Sequence, residues 1–121
     1  PRFYKVERSE PSTAGYSPEV DVFETAEGLI IKADLPGVGK ENIQISLEGN
    51  VLSIQGERKA AAENKERAYH RAERPVGRFG RSFTLPVDVD TMSVAAGYSE
   101  GVLTLQIPKR AEAKPRTIEI R

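Results

Sequence analysis

From Pro18 onward, apolar and polar residues alternate in short runs. Val20 and Val22 flank Asp21. Leu29, Ile31, Ala33 and Leu35 share one face of an extended segment, with Lys32 and Asp34 on the other. Ile43, Ile45 and Leu47 alternate with Gln44, Ser46 and Glu48; Leu52 and Ile54 alternate with Ser53 and Gln55; Leu103, Leu105 and Ile107 alternate with Thr104 and Gln106. In an extended chain successive side chains point to opposite faces, so each run predicts a strand with one buried face. Turn chemistry separates the runs: Ala26-Glu27-Gly28, Pro36-Gly37-Val38-Gly39, Gly49-Asn50 and Ser99-Glu100-Gly101. Gly-Asn between two runs is a hairpin signal, because glycine accepts the positive φ of a primed turn. Short strands at close spacing, with no amphipathic helix between them, predict an all-β, immunoglobulin-like antiparallel β-sandwich over residues 18–108.

Three segments break the pattern. Residues 1–17 read as an arm: Phe3, Tyr4 and Val6 are apolar, but Ser9, Pro11, Ser12, Thr13 and Gly15 interrupt any period. The loop 58–77 is too long for an idle connection in a compact domain. Its first part is almost entirely charged residues and alanine, where Glu63 and Arg67 allow a solvated helical turn. Ala68-Tyr69-His70-Arg71 then suits a short strand, and pairing with another chain is a natural use for it. Residues 109–121 form the third segment. Lys109 to Arg116 reads as a flexible tail of charged residues, alanine and one proline, ending in Thr117-Ile118-Glu119-Ile120-Arg121. Ile118 and Ile120 project to one side of an extended strand. Periodicity alone allows a final strand of the sandwich or a plug for a groove elsewhere.

Composition narrows the function classes. The 121 residues suggest one domain, and 38% hydrophobic content supports a core. Charged residues make up 30% and cancel to zero net charge, against the basic excess of a nucleic-acid or polybasic membrane binder. With no cysteine, there is no disulfide or thiolate chemistry. No apolar run approaches the roughly 20 residues that span a bilayer, and no secretory signal opens the chain, so a cytoplasmic protein is expected. The chain opens on Pro1 rather than Met, as a processed chain or a fragment would.

Candidate chemistry is sparse. His70 is the only histidine, and no nucleophile elbow or paired acid accompanies it. Pro36-Gly37-Val38-Gly39-Lys40 lacks the phosphate-loop pattern, and no His or acidic cluster has metal-ligand spacing. The expectation is no enzyme, no cofactor and no metal. Arg71, Arg74, Arg78 and Arg81, with Tyr69 and Phe79, form the one strip suited to single-stranded nucleic acid, but Glu73 lies inside it. Arg81 shares strand parity with Phe79, Phe83 and Leu85, which predicts partial burial and a need for a carboxylate.

Four motifs in order resemble the small heat-shock proteins. They are Pro18-Glu19-Val20-Asp21-Val22; Tyr69-His70-Arg71-Ala72-Glu73-Arg74 followed by Gly77, Phe79, Arg81, Phe83, Leu85 and Pro86; Ala96-Gly97-Tyr98-Ser99-Glu100-Gly101-Val102-Leu103; and Ile118-Glu119-Ile120. The third is similar to the family's A-x-x-x-N-G-V-L signature with Glu100 in the asparagine position, and Gly101 is expected to take the left-handed role in that turn. The fourth is similar to its I-x-I tail motif. The family normally carries a longer, more apolar arm than residues 1–17.

The resemblance implies an alpha-crystallin domain over 18–108 with a long strand-exchange loop and flexible arms. It implies an ATP-independent holdase of the stress response that binds partly unfolded clients. It implies a swapped dimer made by Tyr69, His70 and Arg71 against Val20 and Val22 of a second copy, with Arg81 near the dimer contact as one member of an ion pair. Dimers would assemble into larger homo-oligomers as Ile118 and Ile120 enter a groove walled by Ile43, Ile45 and Leu47 and by Val94, Ala96 and Tyr98. No nucleic-acid or membrane partner is expected. The rival readings are a co-chaperone-like β-sandwich module and a single-stranded nucleic-acid-binding β-barrel.

Overall fold

The alternating runs become strands in a computed structural model that describes residues 15–59, 68–113 and 117–121. The strands are β1 (Gly15–Tyr16), β2 (Val20–Glu24), β3 (Gly28–Asp34), β4 (Ile43–Glu48), β5 (Val51–Arg58), β6 (Gly77–Thr84), β7 (Ala95–Ser99) and β8 (Val102–Pro108). They form two four-stranded sheets, ordered β1-β6-β5-β4 and β2-β3-β8-β7. Pairing is antiparallel except between β1 and β6, which run parallel.

Parity decides what is buried. Leu29, Ile31 and Ala33 of β3 meet Ile107, Leu105 and Leu103 of β8 across the ladder, and all six are buried. On the facing sheet Leu52 and Ile54 of β5 join Phe79 and Phe83 of β6, while Lys32, Asp34, Gln55 and Gln106 face solvent. Each fully buried Leu, Ile or Phe contributes about 1.5–3 kcal/mol over its exposed state. Gly56 sits on the same inward row, where a Cβ would collide with the Asn42 carbonyl oxygen and press on the Phe79 ring. The chain crosses from one sheet to the other after β3. Leu35 N–H donates to the Gly101 carbonyl at 2.7 Å, Val38 is buried, and a 3-10 turn at Lys40–Asn42 leads into β4.

Two tight hairpins fall at the expected turn positions. Glu48 pairs with Val51, leaving Gly49-Asn50 with Gly49 at φ 61°. Ser99 pairs with Val102, leaving Glu100 at φ 54° and Gly101 at φ 75°. Gly101 therefore does not carry the left-handed demand alone. A type I′ turn needs positive φ at both central positions, and Glu100 takes one of them.

Other expectations shift. The arm 1–17 gives up its last stretch to the sandwich: Gly15 and Tyr16 pair with Arg78 and Phe79, and Tyr16 packs against the core. The tail leaves the domain later than Lys109. Lys109 N–H donates to the Glu27 carbonyl, Arg110 N–H to the Asp88 carbonyl, and a 3-10 turn covers Ala111–Ala113. Residues 68–76 carry no strand within the single chain, and the helical turn at Glu63 and Arg67 lies outside the described residues.

Candidate functional site

The two sheets end in β4 and β7, and both strands turn apolar residues toward the core. Ile43, Ile45 and Leu47 stand opposite Gly56, Ile54 and Leu52. Ile54 and Leu52 are 0% and 1% exposed, yet their three β4 neighbours are only half-buried. On β7, Ala96 and Tyr98 stand opposite the buried Leu105 and Leu103, but Ala96 is exposed and Tyr98 half-buried. Val94, just before β7, is half-buried and packs on the same core. Side chains pointing inward without full cover mean that the layer above them is incomplete. Both strands also end their sheets, so each leaves a row of main-chain N–H and C=O groups without a ladder partner.

Tyr98 gives this edge a rigid corner. Its hydroxyl lies 2.6 Å from the Leu35 carbonyl and 2.7 Å from that of Val38, tying β7 to the crossover between the sheets. Burial pushes the phenol pKa up, partly offset by the positive charge of Arg58.

The far end of the β7 sheet is β2. Val20 and Val22 pair with Ala33 and Ile31 and are half-buried on the core face. Tyr69 is 67% exposed, and His70 and Arg71 are exposed beside it. The Arg71–Glu73 ion pair at 3.5 Å is itself exposed. Ile118 and Ile120 are 76% and 98% exposed, so the single chain does not cover its own tail motif.

Arg81 follows its parity, standing opposite the buried Ile54 in the row of Phe79 and Phe83. Its Nη1 donates to the Pro18 carbonyl at 3.0 Å, and its guanidinium lies 5.4 Å from the Phe83 ring centroid. This divides the suspected nucleic-acid strip, because Arg78 lies on the opposite parity and is exposed.

Sequence reasoning missed Arg58. It is 7% exposed and donates Nη1 to the Pro75 carbonyl at 3.0 Å and Nη2 to the Pro36 carbonyl. The signal was present: Leu52, Ile54, Gly56 and Arg58 share one parity. No group of three His, Cys or acidic residues suited to a metal ion occurs among the described residues.

The Hsp20/alpha crystallin family model matches residues 21–121. Spore protein SP21 of Stigmatella aurantiaca is 41% identical over 105 residues, 87% of this chain and 62% of its own length. Small heat shock protein C2 of Rickettsia felis is 32% identical over 119 residues, 98% of this chain and 77% of its own length. The chain thus spans less than two-thirds of the first of these relatives. Among solved structures, a small heat-shock protein from Xylella fastidiosa superposes with a TM-score of 0.73 at 38% identity, covering 86% of this chain and 95% of that one. The sandwich, its open edges and these matches agree, and the chain belongs to the Hsp20/alpha crystallin family.

Proposed function

We propose that the chain is a holdase: an ATP-independent chaperone that covers apolar segments of partly unfolded proteins before they meet one another, under heat stress and in the cytoplasm. The half-buried, inward-facing rows on β4 and β7 carry this reading. Holding a client needs no catalytic group. It needs apolar surface, and strand edges able to pair with an extended segment.

At rest the chain covers that surface with itself. Ile118 and Ile120 of a neighbouring subunit enter between Ile43, Ile45 and Leu47 on one side and Val94, Ala96 and Tyr98 on the other. The building block is a swapped dimer in which Tyr69, His70 and Arg71 add to the open edge at Val20 and Val22 of a second copy. Arg81 stands close to that seam, as one member of an ion pair across it. The exposure of Tyr69, Ile118 and Ile120 in the single chain supports both contacts, since each leaves apolar surface open to a second molecule. The related Xylella fastidiosa protein is described as having a distinct high-order structure, which supports larger homo-oligomers here.

The test is light scattering of a heat-labile enzyme, with and without the chain, ATP absent throughout. Equimolar chain should suppress the scattering of several unrelated clients. Unchanged scattering across all of them overturns the holdase reading in favour of a co-chaperone-like interaction module.

A further inference from the structure

Arg58 closes the inward row of β5 at a place where an apolar residue would pack without desolvating a charge. Among the described residues it meets no carboxylate within ion-pair distance. Its two terminal nitrogens donate to main-chain carbonyls, of Pro75 at 3.0 Å and of Pro36, and its Nε is buried without a hydrogen-bond partner. Its guanidinium lies 5.7 Å from the ring centroid of Tyr16, which is tilted against Phe79 at 5.7 Å. What the fork supplies is direction, since a rigid planar cation fixes two acceptors far apart in sequence.

The segments it fixes are informative. Pro36 lies in the crossover between Leu35 and Val38, whose carbonyls hold Tyr98. Tyr16 belongs to β1. Pro75 lies near the end of segment 68–76, two residues before Gly77, the ladder partner of Arg58. Arg74 adds to the junction: a Cβ placed on Gly37 would lie 3.5 Å from its Nη2.

We infer that Arg58 is the positioning residue that sets the direction in which segment 68–76 leaves the domain, and so whether Tyr69, His70 and Arg71 reach β2 of a second copy. The inference rests on the strand-exchange dimer proposed above. Leverage makes the root decisive. From Pro75 to Tyr69 an extended chain reaches about 20 Å at 3.3–3.6 Å per residue. A swing of about 15° at the root displaces the tip by about 5 Å, one inter-strand spacing. Without the Pro75 contact the strand arrives one register or one strand away.

The experiment compares Arg58→Met, Arg58→Lys and a deletion of residues 68–72 with the parent chain. Circular dichroism and thermal melting read folding. Sedimentation equilibrium reads the dimer dissociation constant. Trypsin cleavage after Arg71 in the monomer reads the placement of the arm. Met matches the apolar stem and removes the buried charge, so Arg58→Met should melt at or above the parent temperature. Its dimer dissociation constant should nevertheless rise at least tenfold, with cleavage after Arg71 several-fold faster. Lys keeps the charge but cannot span both carbonyls, so Arg58→Lys should show the same weakening of the dimer. A role confined to packing would move the melt and leave the dimer constant alone. Parent-like dimerisation of Arg58→Met overturns the assignment. So does its failure to fold, which would make Arg58 a folding residue. The deletion separates the two claims. If it dimerises normally, the strand-exchange reading falls. If it is monomeric while Arg58→Met dimerises, only the role of Arg58 falls.

Discussion

Glu100 occupies a conformation that suits glycine or asparagine. With φ at 54° its Cβ crowds its own backbone, at a cost of about 1–2 kcal/mol for an ordinary side chain in the left-handed region. Asparagine tolerates that region better, because its short polar side chain bonds locally. Glu100→Asn should therefore raise stability by about 1 kcal/mol without altering assembly, since the turn lies outside both proposed contacts. Chemical denaturation with equal m-values checks it, and an unchanged or lower midpoint would refute it. The same scale explains which residues were legible. Ile54 and Leu105 were readable as core because parity and chemistry agree. Arg58 has inward parity but a charged side chain, and which of the two wins depends on carbonyls at positions 36 and 75 that no local pattern places beside it. Gly56 is equally silent in sequence: the Asn42 carbonyl and Phe79 ring that exclude a Cβ come from a neighbouring turn and a neighbouring strand.

Among elements, the tail and the two open edges form one proposed contact. Burying two isoleucines gains roughly 3–6 kcal/mol. Ordering about five tail residues costs roughly 1–2 kcal/mol each, and edge hydrogen bonds return roughly 0.5–1.5 kcal/mol each. A single docking event is thus close to balance, and many events in one shell hold through effective concentration. Replacing Ile118 and Ile120 by Ala removes most of the apolar gain. The mass measured by light scattering coupled to size exclusion should fall toward that of a dimer, and an unchanged size distribution would exclude the docking. The sequence offered both isoleucines and the apolar rows of β4 and β7. It did not offer the detachment point of the tail. Lys109 and Arg110 look like free charged residues, yet their backbone groups bond to Glu27 and Asp88.

For the whole molecule, the proposed function depends on a near-balance that temperature tilts. The chain-entropy cost of docking grows in proportion to temperature, while apolar stabilisation per unit area levels off. Warming should shift the assembly toward smaller species and expose the β4 and β7 rows. The fraction of dimer-sized species, measured by native mass spectrometry, should rise toward the temperature at which client scattering is suppressed. Suppression with no change in species would mean that clients bind elsewhere on the assembly.

The sequence alone determined the strands of the alternating runs, their buried faces, the place of the hairpin turns and the family, because each depends on residues within a few positions: a period of two, a glycine at a tight turn, a motif in order. Tertiary structure decided the rest. It placed β4 and β7 at sheet ends, where inward-facing Ile43, Ile45 and Leu47 are only half-covered and Ala96 is exposed. It drew Gly15 and Tyr16 from the arm into a parallel pair with β6, and it gave the buried Arg58 two carbonyls from distant segments. Strand order and the partners of a buried charge are set by contacts between segments far apart in the chain, and no local pattern encodes which segments will meet.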